Sequence, residues 1–456
     1  MIPLTLAEVA EACGGRLEAA DPGTVVRLAG IDSRATRPGE LFVGVRGESF
    51  DGDAFAAAAV AAGAAAAVVR EDTAGRLGAA VPRVVVDDGL GALQRLATVV
   101  RRRSGVKVVA ITGSAGKTST KDILGALLRP VAETVSTDAN LNNEVGVPLT
   151  LLRIEPATEV VVVEMAMRGA GQIRELARIA LPDIGVITNV APVHLELVGT
   201  LEDVAAAKAE LIDELGGGTA VVPGDEPLLH RHVDRHRGRV VTFGAPKADI
   251  RLVSEERRTD GTHVLVDAFG HRGTLDFSFT GDHYLRDALA ALAAFLELGY
   301  RLDEARPGAA RVVFSDLRGA VTELPDGGLV LNDAYNANPV AMTAAIDHLV
   351  AVADGRPAIA VLGDMYELGE GATAFHRLVG EHCAAAGVRL VAVGELGRDY
   401  LTGAEDERWF PTVDACLAAL PEVVPPGSAV LVKASRLMRF ERVAEALTGA
   451  PEADRV

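Results

Sequence analysis

VVAITGSAGKTSTKDIL, residues 108–124, passes from an apolar, β-branched strand through a glycine turn into a helix, and sets one lysine and two hydroxyls at the junction. Gly113 and Gly116 let backbone N–H groups curl around phosphate oxygens, and the helix beyond them aims its N-terminus at the same point. Lys117 can reach terminal phosphates, and Thr118 can offer its hydroxyl to Mg2+. Strand, loop and helix in this order favour nucleotide binding over a chance glycine–lysine turn. The loop does not name a reaction, because kinases, GTPases and ligases share it.

Bulk properties narrow the field. A chain of 456 residues exceeds what one hydrophobic core organises, so two or three domains are expected. With 49% hydrophobic and 24% charged residues it has the composition of a soluble globular protein. The net charge of -18 argues against a nucleic-acid binder or a binder of anionic membranes. Any anionic ligand must then be held by local basic groups and backbone donors. Cys13, Cys383 and Cys416 are too far apart to form a disulfide framework or a metal knuckle, which fits a reducing cytoplasm. The first residues lack a signal-peptide pattern, and the most apolar run, 54–69, is too short to span a bilayer. Only six of the 45 basic residues are lysine (107, 117, 121, 208, 247 and 433), so each lysine points to a place where a compact ammonium or a neutral amine is wanted.

The pattern along the chain is α/β. Short helical and strand signals alternate up to RRRSG (101–105), where charge and flexibility suggest a boundary. From Lys107 onward KVVAITG, EVVVVEMA, DIGVITNV, GTAVVPGD and RVVTFG are runs apolar on both faces, the mark of a parallel sheet covered by helices. Residues 249–280 alternate polar and apolar and suggest a small antiparallel meander. DEARPGAAR (303–311) interrupts the pattern again, and the strands beyond it lead through polar loops into helices, as in a Rossmann-like domain. The expected units are residues 1–103, 104–308 and 309–456.

Two further segments bear on chemistry. VVVVEM puts Glu164 at the tip of a buried strand, where open α/β sheets place ligand groups; Mg2+ ligation and a solvated strand end fit equally well. In HLELVGTLEDVAAAKAELIDEL, Thr200 and Asp203 form a capping pair, so a helix begins near Leu201. Its apolar stripe includes Lys208. A single lysine there commonly snorkels, but burial also depresses its pKa and yields a neutral amine that can take up CO2 as a carbamate. His194, just ahead of this helix, is a candidate neighbour or a structural histidine.

With these residues in view, the sequence resembles the Mur ligases. The resemblance rests on DSRATRPGELFVGVRGESFDGDAF, TGSAGKTSTK with its short GxxGK spacing, NLNNEVGVPLTLLR, VVEMAMRGAGQIREL, TNVAPVHLELVGTLEDVAAAKAEL, NDAYNANPVAMTAAI, LGDMYELGE and LVKASRLMR, which cover nearly the whole chain. It implies a three-domain architecture: an N-terminal UDP-sugar domain, a central P-loop parallel sheet that binds ATP, and a C-terminal Rossmann-like domain. The activity implied is ATP-dependent formation of an amide between UDP-MurNAc-tripeptide and D-Ala-D-Ala through an acyl phosphate, in cytoplasmic peptidoglycan precursor synthesis, by a monomer. By position, Gly113 to Ser119, His283, Arg318 and Asp333 correspond to nucleotide contacts. Thr118 matches the first Mg2+ site, and Glu164, His194 and a carbamylated Lys208 the second. Ser33 and Arg34 match the uridine-nucleotide loop, and Asn142, Asn143, Asn336, Asn338, Lys433, Ser435 and Arg436 the substrate region.

The sequence departs from that family pattern in GDHYLRDALAA, where His-Asn and a second asparagine three residues later are usual and Tyr284 and Asp287 stand instead. Asp accepts hydrogen bonds only, whereas Asn also donates. Ala166 replaces the usual glycine after Glu-Met. Competing readings are a folylpolyglutamate-type or other amino-acid ligase of the same superfamily, a P-loop kinase or GTPase, and a non-catalytic scaffold. The first is disfavoured by the DSR…PGELF segment, the second by two unexplained domains and no guanine-reading Asn-Lys-x-Asp, and the third by the retention of Lys117, Glu164 and Lys208.

Overall fold

Val108, Val109, Ala110 and Ile111 are fully buried, and the strand Lys107–Thr112 that they build lies inside a sheet, paired in parallel with Val160–Glu164 on one side and Ile184–Ile187 on the other. The computed structural model describes residues 1–449 apart from 48, 49, 259, 316, 318 and 406. Among the described residues this central sheet has nine strands. Thr134–Ser136 closes one edge, while Thr219–Pro223 and Val240–Phe243 continue it in parallel on the other side. Ile250–Arg258 joins next, and Gly261–Ala268 and His271–Phe277 then pair antiparallel. The meander expected over 249–280 is therefore an extension of the parallel sheet. Helices Lys117–Leu128 and Asp282–Glu297 pack on each other against it.

Ahead of this sheet, Ala29–Gly30, Leu41–Val43, Ala66–Arg70 and Arg83–Val86 run parallel, with Arg16–Glu18 antiparallel at the edge. Helix Gly89–Ser104 follows, capped by Asp88 and ended by Gly105 in the left-handed conformation. RRRSG is thus the last turn of a helix and not a flexible break. Basic side chains suit that end of the helix dipole, and Arg101 bonds Asp183 at 2.9 Å. Leu93, Leu96 and Val100 on its apolar face share one core with Val9 and Val68 before them and with Val147, Leu176 and Leu211 beyond.

A third, six-stranded sheet follows. Leu329–Asn332, Ala429–Lys433, Ala358–Gly363, Arg389–Val393 and Arg408–Phe410 are parallel in that spatial order, with Ala320–Glu323 antiparallel at the edge. Its apolar residues form cores of their own. Both large sheets end their strands at polar loops, where open α/β sheets hold ligands. No described helix is long and apolar enough to cross a membrane.

Candidate active site

The phosphate loop lies where the strand Lys107–Thr112 enters its helix. Gly116 stands at φ +77, and a Cβ there would lie 2.2 Å from Oδ1 of Asp287. Gly113 is equally crowded, a Cβ falling 1.8 Å from Oγ1 of Thr188. Only glycine fits either place. Asn189 braces the turn: its Oδ1 accepts from the amides of Ser114 at 3.1 Å and Ala115 at 2.9 Å, while Thr188 donates to the Ala115 carbonyl at 2.5 Å. Lys117 Nζ donates to the Gly113 carbonyl at 2.9 Å.

Glu164 is 1% exposed. Its two oxygens accept from Thr118 Oγ1 and Asn142 Nδ2, each at 2.8 Å, so the hydroxyl and carboxylate expected at Mg2+ are in contact. Asn143 caps the turn ahead of helix Gly146–Leu151 by accepting from Gly146 N at 2.9 Å, and Ala166 donates to the Asn142 carbonyl at 2.9 Å. Lys208 is 2% exposed on helix Leu201–Asp213, whose capping box with Thr200 and Asp203 is present. Burial, and then the like charge of Lys117, hold its ammonium well below the ordinary lysine range. Burial also lowers His194, against the raising influence of Glu367, whose carboxylate meets its Nδ1.

The third sheet supplies the facing wall. Lys433 Nζ bonds Oδ2 of Asp333 at 2.5 Å and the Asn336 carbonyl at 2.8 Å. Asn338 caps helix Pro339–Ala353 through Ala341 N at 2.9 Å. Ser435 Oγ accepts from Tyr366 N at 2.9 Å, and Arg436 bonds Glu441 at 3.0 Å. Between the walls lies a cavity of about 740 Å³ lined by residues 114–119, Asn142, Asn143, Glu164, Ala166, His194, His283, Tyr284, Asp287, Asp333, Asn336, Asn338, Lys433, Ser435 and Arg436. Lys208 is buried outside this lining, near enough to Lys117 and His194 for their charges to act on one another.

At the point of departure from the family pattern, Tyr284 packs inward. Its ring stacks on Phe314, centroids 4.2 Å apart, and meets Phe279 edge-on at 5.6 Å. His283 lies 3.8 Å from the Tyr284 ring and 5.6 Å from His348 of the third domain. Burial, then the charges of His348 and Lys433, push the His283 imidazole down to about 3.

Ser33 and Arg34 are not in this cavity. They form a short turn after the strand Ala29–Gly30, and Arg34 pairs with Asp32 at 2.9 Å. Arg318 lies outside the described residues. Asn189 and Glu367 were not singled out from the sequence. Both sit in the quoted motifs, TNVAPVH and LGDMYELGE, but their roles come from contacts with distant segments that a linear reading does not supply.

Comparison with known proteins follows the same three-part division. The sequence matches the family descriptions Mur ligase family, catalytic domain over residues 25–101, Mur ligase middle domain over 111–295, and Mur ligase, glutamate ligase domain over 318–436. It is 34% identical to the UDP-N-acetylmuramoyl-tripeptide--D-alanyl-D-alanine ligase of Bacillus subtilis, covering 99% of this chain and 100% of that one. Among solved structures, MurF from Acinetobacter baumannii superposes with TM-score 0.89 at 28% identity over 98% of this chain and 99% of that chain. MurF from Thermotoga maritima in complex with ADP gives TM-score 0.81 at 30% identity, over 93% and 97%. With one-third identity sustained from end to end and all three parts matched in order, the chain belongs to the Mur ligase family.

Proposed function

We propose that the chain is an ATP-dependent ligase that joins D-Ala-D-Ala to UDP-MurNAc-tripeptide in cytoplasmic peptidoglycan precursor synthesis. It works as a monomer through three units: residues 1–103 hold the UDP-sugar, 104–308 hold ATP, and 309–456 close over the site. One observation carries the reading: a cavity in which a phosphate loop and a buried carboxylate face a lysine-bearing wall, in a chain similar over its length to ligases named for this reaction.

The chemistry follows from charge. A carboxylate and a triphosphate repel each other, so the γ-phosphoryl group moves onto the tripeptide carboxylate only where the repulsion is cancelled. Lys117 and the N-terminus of its helix, Lys117–Leu128, supply part of that cancellation. Thr118 and Glu164 are hard oxygen donors, already in contact at 2.8 Å, and fit a Mg2+ ion that keeps several waters of its own; bound there, the ion supplies further neutralisation. A second ion needs another carboxylate. Lys208 would provide it by adding CO2 and releasing a proton to become a carbamate, a reading supported by its burial and by a pKa held well below the ordinary lysine range, with His194 near enough for their charges to act on one another. The dipeptide amine then attacks the acyl phosphate carbon and gives up a proton. The tetrahedral intermediate collapses to amide and inorganic phosphate.

Phosphate release from ATP, measured with UDP-MurNAc-tripeptide and D-Ala-D-Ala added singly and together, tests the reading. Release that needs both is expected. Release with neither, or with a hydroxyl acceptor alone, overturns it in favour of a hydrolase or kinase.

A further inference from the structure

His194 follows the strand Ile184–Ile187 of the central sheet, and Glu367 follows Ala358–Gly363 of the third sheet. They meet across the cavity: Oε2 of Glu367 touches Nδ1 of His194, and the Glu367 carbonyl accepts from Glu196 N at 3.4 Å. Both residues hold left-handed backbone, φ 62 at Glu367 and φ 54 at His194. Such a conformation is uncommon outside glycine and persists where surrounding contacts fix it. Gly369, also left-handed, brings the loop against Glu196, a Cβ there lying 3.5 Å away.

The pair is 25% and 31% exposed, so as an ion pair it adds little to stability. Its effect is on orientation. An imidazole whose Nδ1 proton is held by a carboxylate keeps its Nε2 unprotonated and its ring fixed. Arg168 approaches the other carboxylate oxygen at 4.0 Å, and both His194 and Glu367 line the cavity beside Lys117 and Glu164.

We propose that Glu367 is the positioning residue for His194. The third domain, through this loop, selects the imidazole tautomer at the phosphate end of the cavity, so the half of the site that activates the acid is complete only while the two domains touch. The kinetic part of this inference rests on the ligase reading above.

The test combines two readouts on the full-length protein. In the ligand-free chain labelled with 15N-histidine, the His194 signal is assigned among the ten histidines by its loss in His194→Gln. At neutral pH it should report the tautomer protonated at Nδ1, and Glu367→Ala should abolish that preference. In steady-state assays Glu367→Ala should lower kcat by about tenfold or more while the KM of each substrate stays within about threefold. Glu367→Gln, whose amide oxygen can still accept from Nδ1, should recover a substantial part of the loss. An unchanged tautomer in Glu367→Ala, equal losses in the two variants, or a rise confined to KM would overturn the proposal. If the wild type forms no amide, the ligase reading fails, and the tautomer alone then decides whether Glu367 holds His194.

Discussion

A lysine sealed from water and opposed by the like charge of another is expensive to keep, and Lys208, facing Lys117, is such a residue. An unfolded lysine stays protonated up to about 10.4, whereas the buried one loses its proton well below that. Between those limits the unfolded chain binds the extra proton, so folding stability rises with pH across the window and the burial penalty is present at neutral pH. Lys208→Met should therefore raise the thermal midpoint of the metal-free protein in degassed neutral buffer while lowering turnover by about a hundredfold or more. Lys208→Ala should lose turnover likewise and regain part of it with a short carboxylic acid. Undiminished turnover in either variant would remove the carbamate. At Gly116 the reasoning is steric: Gly116→Ala should weaken nucleotide binding by about tenfold or more, measured with a fluorescent ATP analogue. Adding Asp287→Ala should not restore it, because φ +77 remains unfavourable even with the clash removed. Lys117 and Thr118 were legible at the loop because short-range grammar places them; Glu164 was legible as a strand tip, but not its burial or its contact with Thr118. Asn189 and Glu367 were not, because their partners lie 74 and 173 residues away.

Among the elements, the helix carrying Lys208 was the most legible. Thr200 and Asp203 predicted its start, and each donates to the other's side chain in the structure, Asp203 N to Thr200 Oγ1 at 3.2 Å and Thr200 N to Asp203 Oδ2 at 3.0 Å. Thr200→Ala should cost about 1 kcal/mol in a denaturant titration. The basic run 101–105 misled, since local charge resembles a linker until the helix dipole and Asp183 are considered. Tyr284 is the informative departure. It is 4% exposed among Phe279, Phe314 and His283, so Tyr284→Asn should destabilise the protein by about 3 kcal/mol through lost packing. Nucleotide affinity should stay nearly unchanged if adenine is held elsewhere, and a tenfold loss would make Tyr284 part of that contact.

For the whole molecule, the order of three α/β units was legible from motif spacing, but the shared core between the first and second was not. It depends on which helices the apolar face of Gly89–Ser104 meets, and periodicity reveals the face without its partner. The contact between second and third domains carries its own pH signature. His283 titrates near 3 when folded and near 6.5 when unfolded. The unfolded chain thus takes up the proton first, and stability present above about 6.5 is lost as pH falls toward 3. The thermal midpoint should decline across that interval, and His283→Phe should make the decline shallower; equal slopes would show that other groups set it.

Val340 and Leu437, 42% and 78% exposed, line the cavity from the third domain, whereas the glycine turn opposite is rooted in the central sheet. The apolar rim and the glycine turn thus belong to different scaffolds, joined across the cavity at His194 and Glu367. A substitution at the rim leaves the root of the turn in place, whereas one where the two scaffolds meet is felt by both.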